Sequence, residues 1–295
     1  MTPTDQIGGR MDGASGSGSS DLGPVVPLYY DTVFRWLFGS YRQVTGKFLQ
    51  AALPEVPSDE WADLTLPDTH LLGTARQKEM VLDVHVATAS MRSVDVEVQM
   101  SSIPAARERF TAYSCKQLAS QLSPGQPYTA LRPVITLVVC GFVLFEEDED
   151  YQHTFFDYDP DHKIRFTDIR QTRTLELPKV PAQDDGTDLW DWLRLIAATT
   201  EEEIDMAAKR NTDVAQAAVL VKEFSADETR RLEAVSREKF LSDQATREAY
   251  SHEQGFEQGR CWAVRRMVAG GMPVEQVAVV LDIAPGEVAA IIGAG

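Results

Sequence analysis

Apolar and polar residues alternate with period two in two neighbouring stretches of the chain. From Val81 onward, Leu82, Val84 and Val86 fall on one side of an extended strand, and Asp83 and His85 fall on the other. From Val94 the period returns, with Val94, Val96, Val98 and Met100 on one face and Asp95, Glu97 and Gln99 on the other. Only Ser90 and its neighbours separate the two runs, so the pattern predicts an antiparallel hairpin. A turn centred on Ser90 sets Asp83 opposite Glu97 and His85 opposite Asp95. Like charges facing each other across a sheet are destabilising. A divalent cation between them removes that penalty, and Mg²⁺ suits one or two carboxylates because it keeps several of its own waters. Such a metal positions and acidifies a water for attack on a phosphodiester. An amphipathic hairpin with a wet polar face explains the alternation equally well, but not why both carboxylates sit in register.

Helical spacing brackets the hairpin. Between Tyr29 and Phe38, Tyr30, Val33, Phe34, Leu37 and Phe38 fall on one helical face, which predicts a helix stopping at Gly39. A second helix is predicted from Tyr41 to Leu53, ended by Pro54. Pro104 to Leu122 reads as a helix with Pro near its start and Pro124–Gly125 beyond its end. Arg109, Tyr113 and Lys116 share one face of it, an arrangement that a core tyrosine between two solvated bases also gives. Val134 to Phe145 is apolar at nearly every position, as a central strand buried on both faces requires. Phe155–Tyr158 and Thr172–Leu177 are shorter strand candidates, and Pro178 and Pro181 close the sheet region. Past Thr187 the chain reads as helical: Leu189–Thr199, Glu201–Arg210, Val214–Phe224 and a long charged stretch from Ala226 to about Gly259. Gly255 and Gly259 share a face of that long helix, which close helix packing explains. The end reads as three short helices turning at Gly270–Gly271 and Ala284–Pro285, in outline a helix-turn-helix. Its last helix, Gly286 to Ile292, offers no basic or amide side chain to a base edge, so DNA reading by this tail is not expected.

Composition narrows the picture. The 295 residues suffice for one sizeable core plus an appendage or for two domains, and the net charge of −17 opposes nucleic-acid binding by bulk charge. Charge distribution qualifies that: from Ser101 to Arg132 the charges are Arg107, Arg109, Lys116 and Arg132 against Glu108 alone, whereas Glu146 to Asp150 is unbroken acid. Cys115, Cys140 and Cys261 have no closely spaced partner, which argues against a zinc site or a disulfide framework and for a reducing cytoplasm. No apolar leader opens the chain, and its longest apolar run is too short to span a bilayer, so a soluble cytoplasmic protein without membrane contact is expected. A Gly/Ser-rich tail over residues 1–26 cannot bury a core and reads as disordered.

The order of helix, two antiparallel strands carrying Asp and Glu-x-Gln, helix, and central apolar strand resembles the PD-(D/E)XK nuclease superfamily. Within it the chain is similar to the Rpn family of recombination-promoting nucleases and transposases. Four segments carry the resemblance: D-T-V-F-R-W-L-F from Asp31; L-D-V at Asp83 with V-E-V-Q-M at Glu97; the R-x-x-x-Y helix at Arg109; and P-V-I-T-L through L-P-K ending at Lys179. The resemblance implies an α/β fold with a mixed central sheet flanked by helices over 27–181 and an all-helical C-terminal extension over 182–295. It implies DNA as substrate and Asp83 and Glu97 as ligands of Mg²⁺, with Mn²⁺ an alternative. Gln99 stands where the superfamily's signature lysine would be, so the charge that stabilises a pentavalent phosphate must come from the metal or another base. Arg109 and Lys116 are the nearest bases, and Arg109-x-x-x-Tyr113 sits where related nucleases carry a Gln-x-x-x-Tyr contact to the substrate strand. The family hairpin often turns through Asp-Gly, whereas A-S-M-R stands here. A metal-dependent DNA endonuclease is the first expectation, and a non-catalytic nuclease fold that oligomerises through its C-terminal helices is the second.

Overall fold

The computed structural model describes residues 25–67, 69–71, 80–81, 83–103 and 105–293. The tail over 1–24, Leu82 in the predicted first strand and Pro104 at the predicted helix start lie outside the described residues. Two helices open the described chain, α1 (Asp31–Ser40) and α2 (Arg42–Ala52), and the predicted apolar face of α1, Val33, Phe34, Leu37 and Phe38, is buried. A short antiparallel pair, β1 (His70–Leu71) and β2 (Met80–Val81), stands apart from the main sheet. The main sheet is formed by β3 (Val84–Ala87), β4 (Ser93–Gln99), β5 (Val134–Cys140), β6 (Gln152–Asp159) and β7 (Ile164–Glu176), in the order β3-β4-β5-β7-β6. β4, β5 and β7 run parallel, and the two edge strands run antiparallel to their neighbours, so the sheet is mixed.

The hairpin keeps the predicted register, with His85 opposite Asp95 and Val84 opposite Val96. Its first strand is shorter than the alternation predicts, because Val81 pairs with His70 in the other sheet and Asp83 forms a bend before the ladder starts at Val84. The Asp83 carboxylate accepts the backbone N–H of Val98 at 2.8 Å, taking the place that a partner-strand carbonyl would occupy at the end of the ladder. At the other end Met91 adopts φ 65° in the turn, a left-handed conformation that a glycine adopts without strain.

β5 is buried at all seven positions, as a central strand must be. Helix α3 (Ala106–Ser120) crosses the sheet and packs Ala106 and Phe110 on Val138 and Cys140. In the parallel ladder Val138 neighbours Glu97 and Cys140 neighbours Gln99, so α3, packed on β5 and β7, lies on the side of the sheet to which the polar residues of β4 point. The alternate positions, Val84, Val86, Val94 and Val96, are buried on the other face, where α1 touches β3.

The helices after Pro181 join this core. α4 (Asp188–Ala197) places Trp192 against Phe48 and Phe38, at ring separations of 5.7 and 6.2 Å. α5 (Glu201–Ala207) starts with a Thr200/Glu203 capping box, and α6 (Thr212–Ala226) sets Phe224 4.9 Å from Trp36. The compact unit therefore runs past the boundary drawn at 181 and ends at Arg231; a second unit spans Leu232–Gly295. Long α7 (Glu228–Ala269) leads into that second unit, where its last turns pack Val264 with Val277, Ala278 and Val288 of α8 (Val274–Leu281) and α9 (Pro285–Gly293). Close packing does not explain Gly255 and Gly259, since a Cβ at either would meet nothing within 4 Å among the described residues. No single helix among the described residues is long and apolar enough to cross a membrane.

Candidate active site

The polar face of β4 is not wet: Asp95 is 0% and Glu97 4% exposed. Asp83 reaches the same place from the bend before β3. Its Oδ1 is ion-paired at 2.7 Å with Nη2 of Arg35 from α1, its Oδ2 accepts the Val98 N–H, and its own backbone N–H donates to Glu97 Oε1 at 3.3 Å. Arg35 is steadied in turn by Asp31 one turn earlier, at 2.6 Å from Nε. Asp95 is the anomaly. Neither of its carboxylate oxygens reaches a hydrogen-bond donor among the described residues, and the group close enough to share a proton with it is Glu97, itself a carboxyl. Thr136, beside Asp95 in the parallel ladder, and Gln117 of α3 also carry buried polar atoms without a partner.

Burial and mutual repulsion set the protonation of this group. Burial pushes the Asp83 carboxyl above its ordinary range, with Arg35 the largest opposing influence. Asp95 is pushed well above, by burial and then by Asp83. Glu97 is likewise well above, by burial and then by Asp83 and Asp95, while Arg109 draws it back. Three carboxyl groups that disfavour one another's ionisation in a covered site hold either protons or a cation.

The basic side of the site comes from α3. The exposed Arg109 donates from Nη1 to Gln99 Oε1 at 3.4 Å and from Nε to the Tyr113 hydroxyl at 3.0 Å, and its guanidinium lies 5.3 Å from the Tyr113 ring centroid. Gln99 also donates to the Ser101 carbonyl at 3.0 Å. Burial raises the Tyr113 hydroxyl pKa, opposed by Arg109, so the phenol stays protonated. The fold thus gathers Asp83, Glu97, Gln99, Arg109 and Tyr113 in one place, and Lys116 follows on the next turn of α3, half-buried. Sequence reasoning missed Arg35 and the burial of Asp95. The signal for Arg35 was its spacing from Asp31 on an otherwise apolar helix; for Asp95 it was its place two residues before Glu97 on the same face.

No group of three or more His, Cys, Asp or Glu among the described residues stands together as a cage for an ion. A hard cation that keeps its waters takes only one or two protein carboxylates, and Asp83 and Glu97 are oxygen donors of that kind, with Asp83 Oδ1 held by Arg35 and Oδ2 by the Val98 N–H. A mixed sheet whose antiparallel hairpin delivers Asp and Glu-x-Gln beneath a helix bearing Arg and Tyr defines a nuclease fold of the PD-(D/E)XK class. The chain belongs to the PD-(D/E)XK nuclease family transposases, whose sequence model matches residues 28–250, from just before α1 into α7. No curated protein and no solved structure matches it.

Proposed function

We propose that this protein is a metal-dependent DNA endonuclease of the recombination-promoting Rpn type that hydrolyses phosphodiester bonds at the hairpin carboxylates. The observation that carries this reading is the convergence of Asp83 and Glu97 with buried Asp95, whose oxygens lack a donor among the described residues. Asp83 and Glu97 would hold Mg²⁺ or Mn²⁺, which when bound supplies Lewis acidity and an acidified water. Asp95 adds negative charge behind those ligands and so strengthens cation attraction without offering a face to solvent. Gln99, held by Arg109 and by the Ser101 carbonyl, orients a water through its amide. Arg109 is exposed and fixed by Tyr113, and binds a phosphate oxygen as the charge that Gln99 lacks. Lys116 adds attraction to the strand on the same helix. Nicking of supercoiled plasmid with Mg²⁺, abolished by EDTA and by Asp83→Ala, tests the proposal; nicking that persists in Asp83→Ala refutes it.

One observation favours a second reading. Arg35 occupies Asp83 Oδ1, and α7 exposes Leu232, Phe240, Tyr250, Phe256 and Trp262, as an oligomerising module without catalysis would. Absence of nicking together with self-association in light scattering that is lost in Phe256→Ala with Trp262→Ala would support that reading over the first.

A further inference from the structure

Toward the β7–β6 edge of the sheet, away from the hairpin, α3 helps enclose a cavity of about 330 Å³ lined by Arg107, Phe145, Phe155, Phe156, Arg170 and Thr174, among others. We propose that this cavity receives one unstacked nucleobase of the substrate strand. The proposal rests on the nucleic-acid reading of the active site and adds a second point of contact to it.

Three features select this occupant. The first is the pairing of aromatic rings with guanidinium groups. Phe145 and Phe155 lie 5.1 Å apart, and the Arg107 guanidinium, which also donates to the Leu144 carbonyl, sits 4.5 Å from the Phe145 centroid, while Arg170 of the same lining is ion-paired with Asp157. Stacking on such surfaces is open to any base, because every base has a π-face, and the exposed Arg107 guanidinium favours an attached phosphate. The second is the Thr174 hydroxyl. It belongs to a residue only 2% exposed, lines the cavity, and has no hydrogen-bond partner among the described residues. A purely apolar occupant would leave it unsatisfied, whereas the polar edge of a base satisfies it. The third is size: the volume lies at the small end of ligand pockets, about 300–1,000 Å³, with room for one base rather than a base pair.

A free phosphate would use the arginines and leave the rings idle, and an apolar peptide side chain would do the reverse. A nucleotide uses both. α3 links the two sites, since Arg109 faces the carboxylates and Arg107 the cavity. The helix is about 10–12 Å across, roughly three base steps of a strand at 3.4 Å each. A strand held by Arg109 at its phosphate can therefore place a base only a few nucleotides away into the cavity.

The test uses the full chain in EDTA, so that nothing is cleaved, with two probes: the deoxynucleoside of 2-aminopurine and a short oligothymidylate carrying one 2-aminopurine. Saturable change in 2-aminopurine fluorescence with the oligonucleotide is expected, together with weaker saturable binding of the nucleoside. Phe155→Ala and Thr174→Val should each weaken oligonucleotide binding about tenfold, the loss of one stacking or hydrogen-bonding contact of about 1.4 kcal/mol. Phe155 is 43% exposed and Thr174→Val keeps side-chain shape, so neither variant should lose the fold, which circular dichroism checks. No saturable signal with the unaltered protein, or full affinity in either variant, overturns the proposal. So does self-association that Phe155→Ala abolishes, which would make this face an interface between copies. Plasmid nicking is assayed in parallel: nicking without the fluorescence signal overturns the base pocket alone, and the signal without nicking supports the pocket while the catalytic reading fails.

Discussion

Replacing Arg35 by Met keeps an unbranched apolar stem on α1 and removes the charge that faces Asp83 and Asp31. In the pair the Arg35 side chain is 37% exposed and that of Asp83 11%. Removing one partner of a fully buried pair costs about 3–5 kcal/mol, and a fully exposed pair contributes at most about 1 kcal/mol. Discounted for the exposure of Arg35, the expected loss is about 1–2 kcal/mol, which for a unit of this size lowers Tm by roughly 2–8 °C. The sign of the pH dependence follows from Asp83. Its carboxyl is already raised by burial, and Arg35 is the largest influence holding it down, so the substitution raises it further. A carboxyl whose folded pKa exceeds its unfolded one loses stability as pH climbs from the unfolded value through the folded value. The Tm deficit of Arg35→Met should therefore be larger at pH 8 than at pH 5.5, measured by calorimetry in EDTA. Mn²⁺ should then stabilise the variant more than the unaltered protein, because Arg35 no longer holds Oδ1. An equal deficit at both pH values, or a larger one at pH 5.5, would show that Arg35 does not control the charge of Asp83.

Asp83→Asn and Glu97→Gln should each weaken Mn²⁺ binding in a calorimetric titration; unchanged affinity in both would remove the shared site. Arg109→Ala should lower single-turnover cleavage by about tenfold to a thousandfold, with Gln99→Lys restoring part of it, while Lys116→Ala should act mainly on binding and more at low salt than at high. If both losses appear only as weaker DNA binding, the bases serve attraction and not turnover. Gly255→Ala and Gly259→Ala should each stabilise α7 by up to about 1 kcal/mol, since a Cβ there meets nothing, and a fall in helix stability by circular dichroism would reveal a partner surface.

What was legible in the sequence is what depends on short periods. Alternation over Val94–Gln99 and a turn near Ser90 determine the pairing of His85 with Asp95, and the unbroken apolar run from Val134 marks the central strand. β7 was seen only in part, from Thr172, because its first residues, Ile164, Arg165 and Phe166, are all exposed and carry no buried period. The break between Val81 and Val84 escaped because alternation does not register which sheet a residue joins. Contacts over distance are illegible for a simple reason: Arg35 and Asp83 lie 48 positions apart, and no local pattern couples them. Likewise the amphipathic pattern of α4 and α6 shows that each has an apolar face, but not that Trp192 and Phe224 bury theirs against α1 and α2.

The charge balance of the site bears on the missing lysine. Asp31, Asp83, Asp95 and Glu97 outnumber Arg35 and Arg109, so full ionisation leaves an excess of negative charge among them. A lysine at position 99 would have met part of that excess. With Gln99 there, either protons or a cation must meet it, and the raised carboxyl pKa values express the same imbalance. Proton and cation then compete for the same oxygens, so binding of Mg²⁺ should release protons and tighten as pH rises. A chain with no use for a cation would gain stability by replacing Asp95 with a neutral residue, since a buried carboxyl without a donor is unfavourable by several kcal/mol unless it is protonated or paired. Asp95 stands fully buried beside two further carboxyl groups, an arrangement that packing alone does not require.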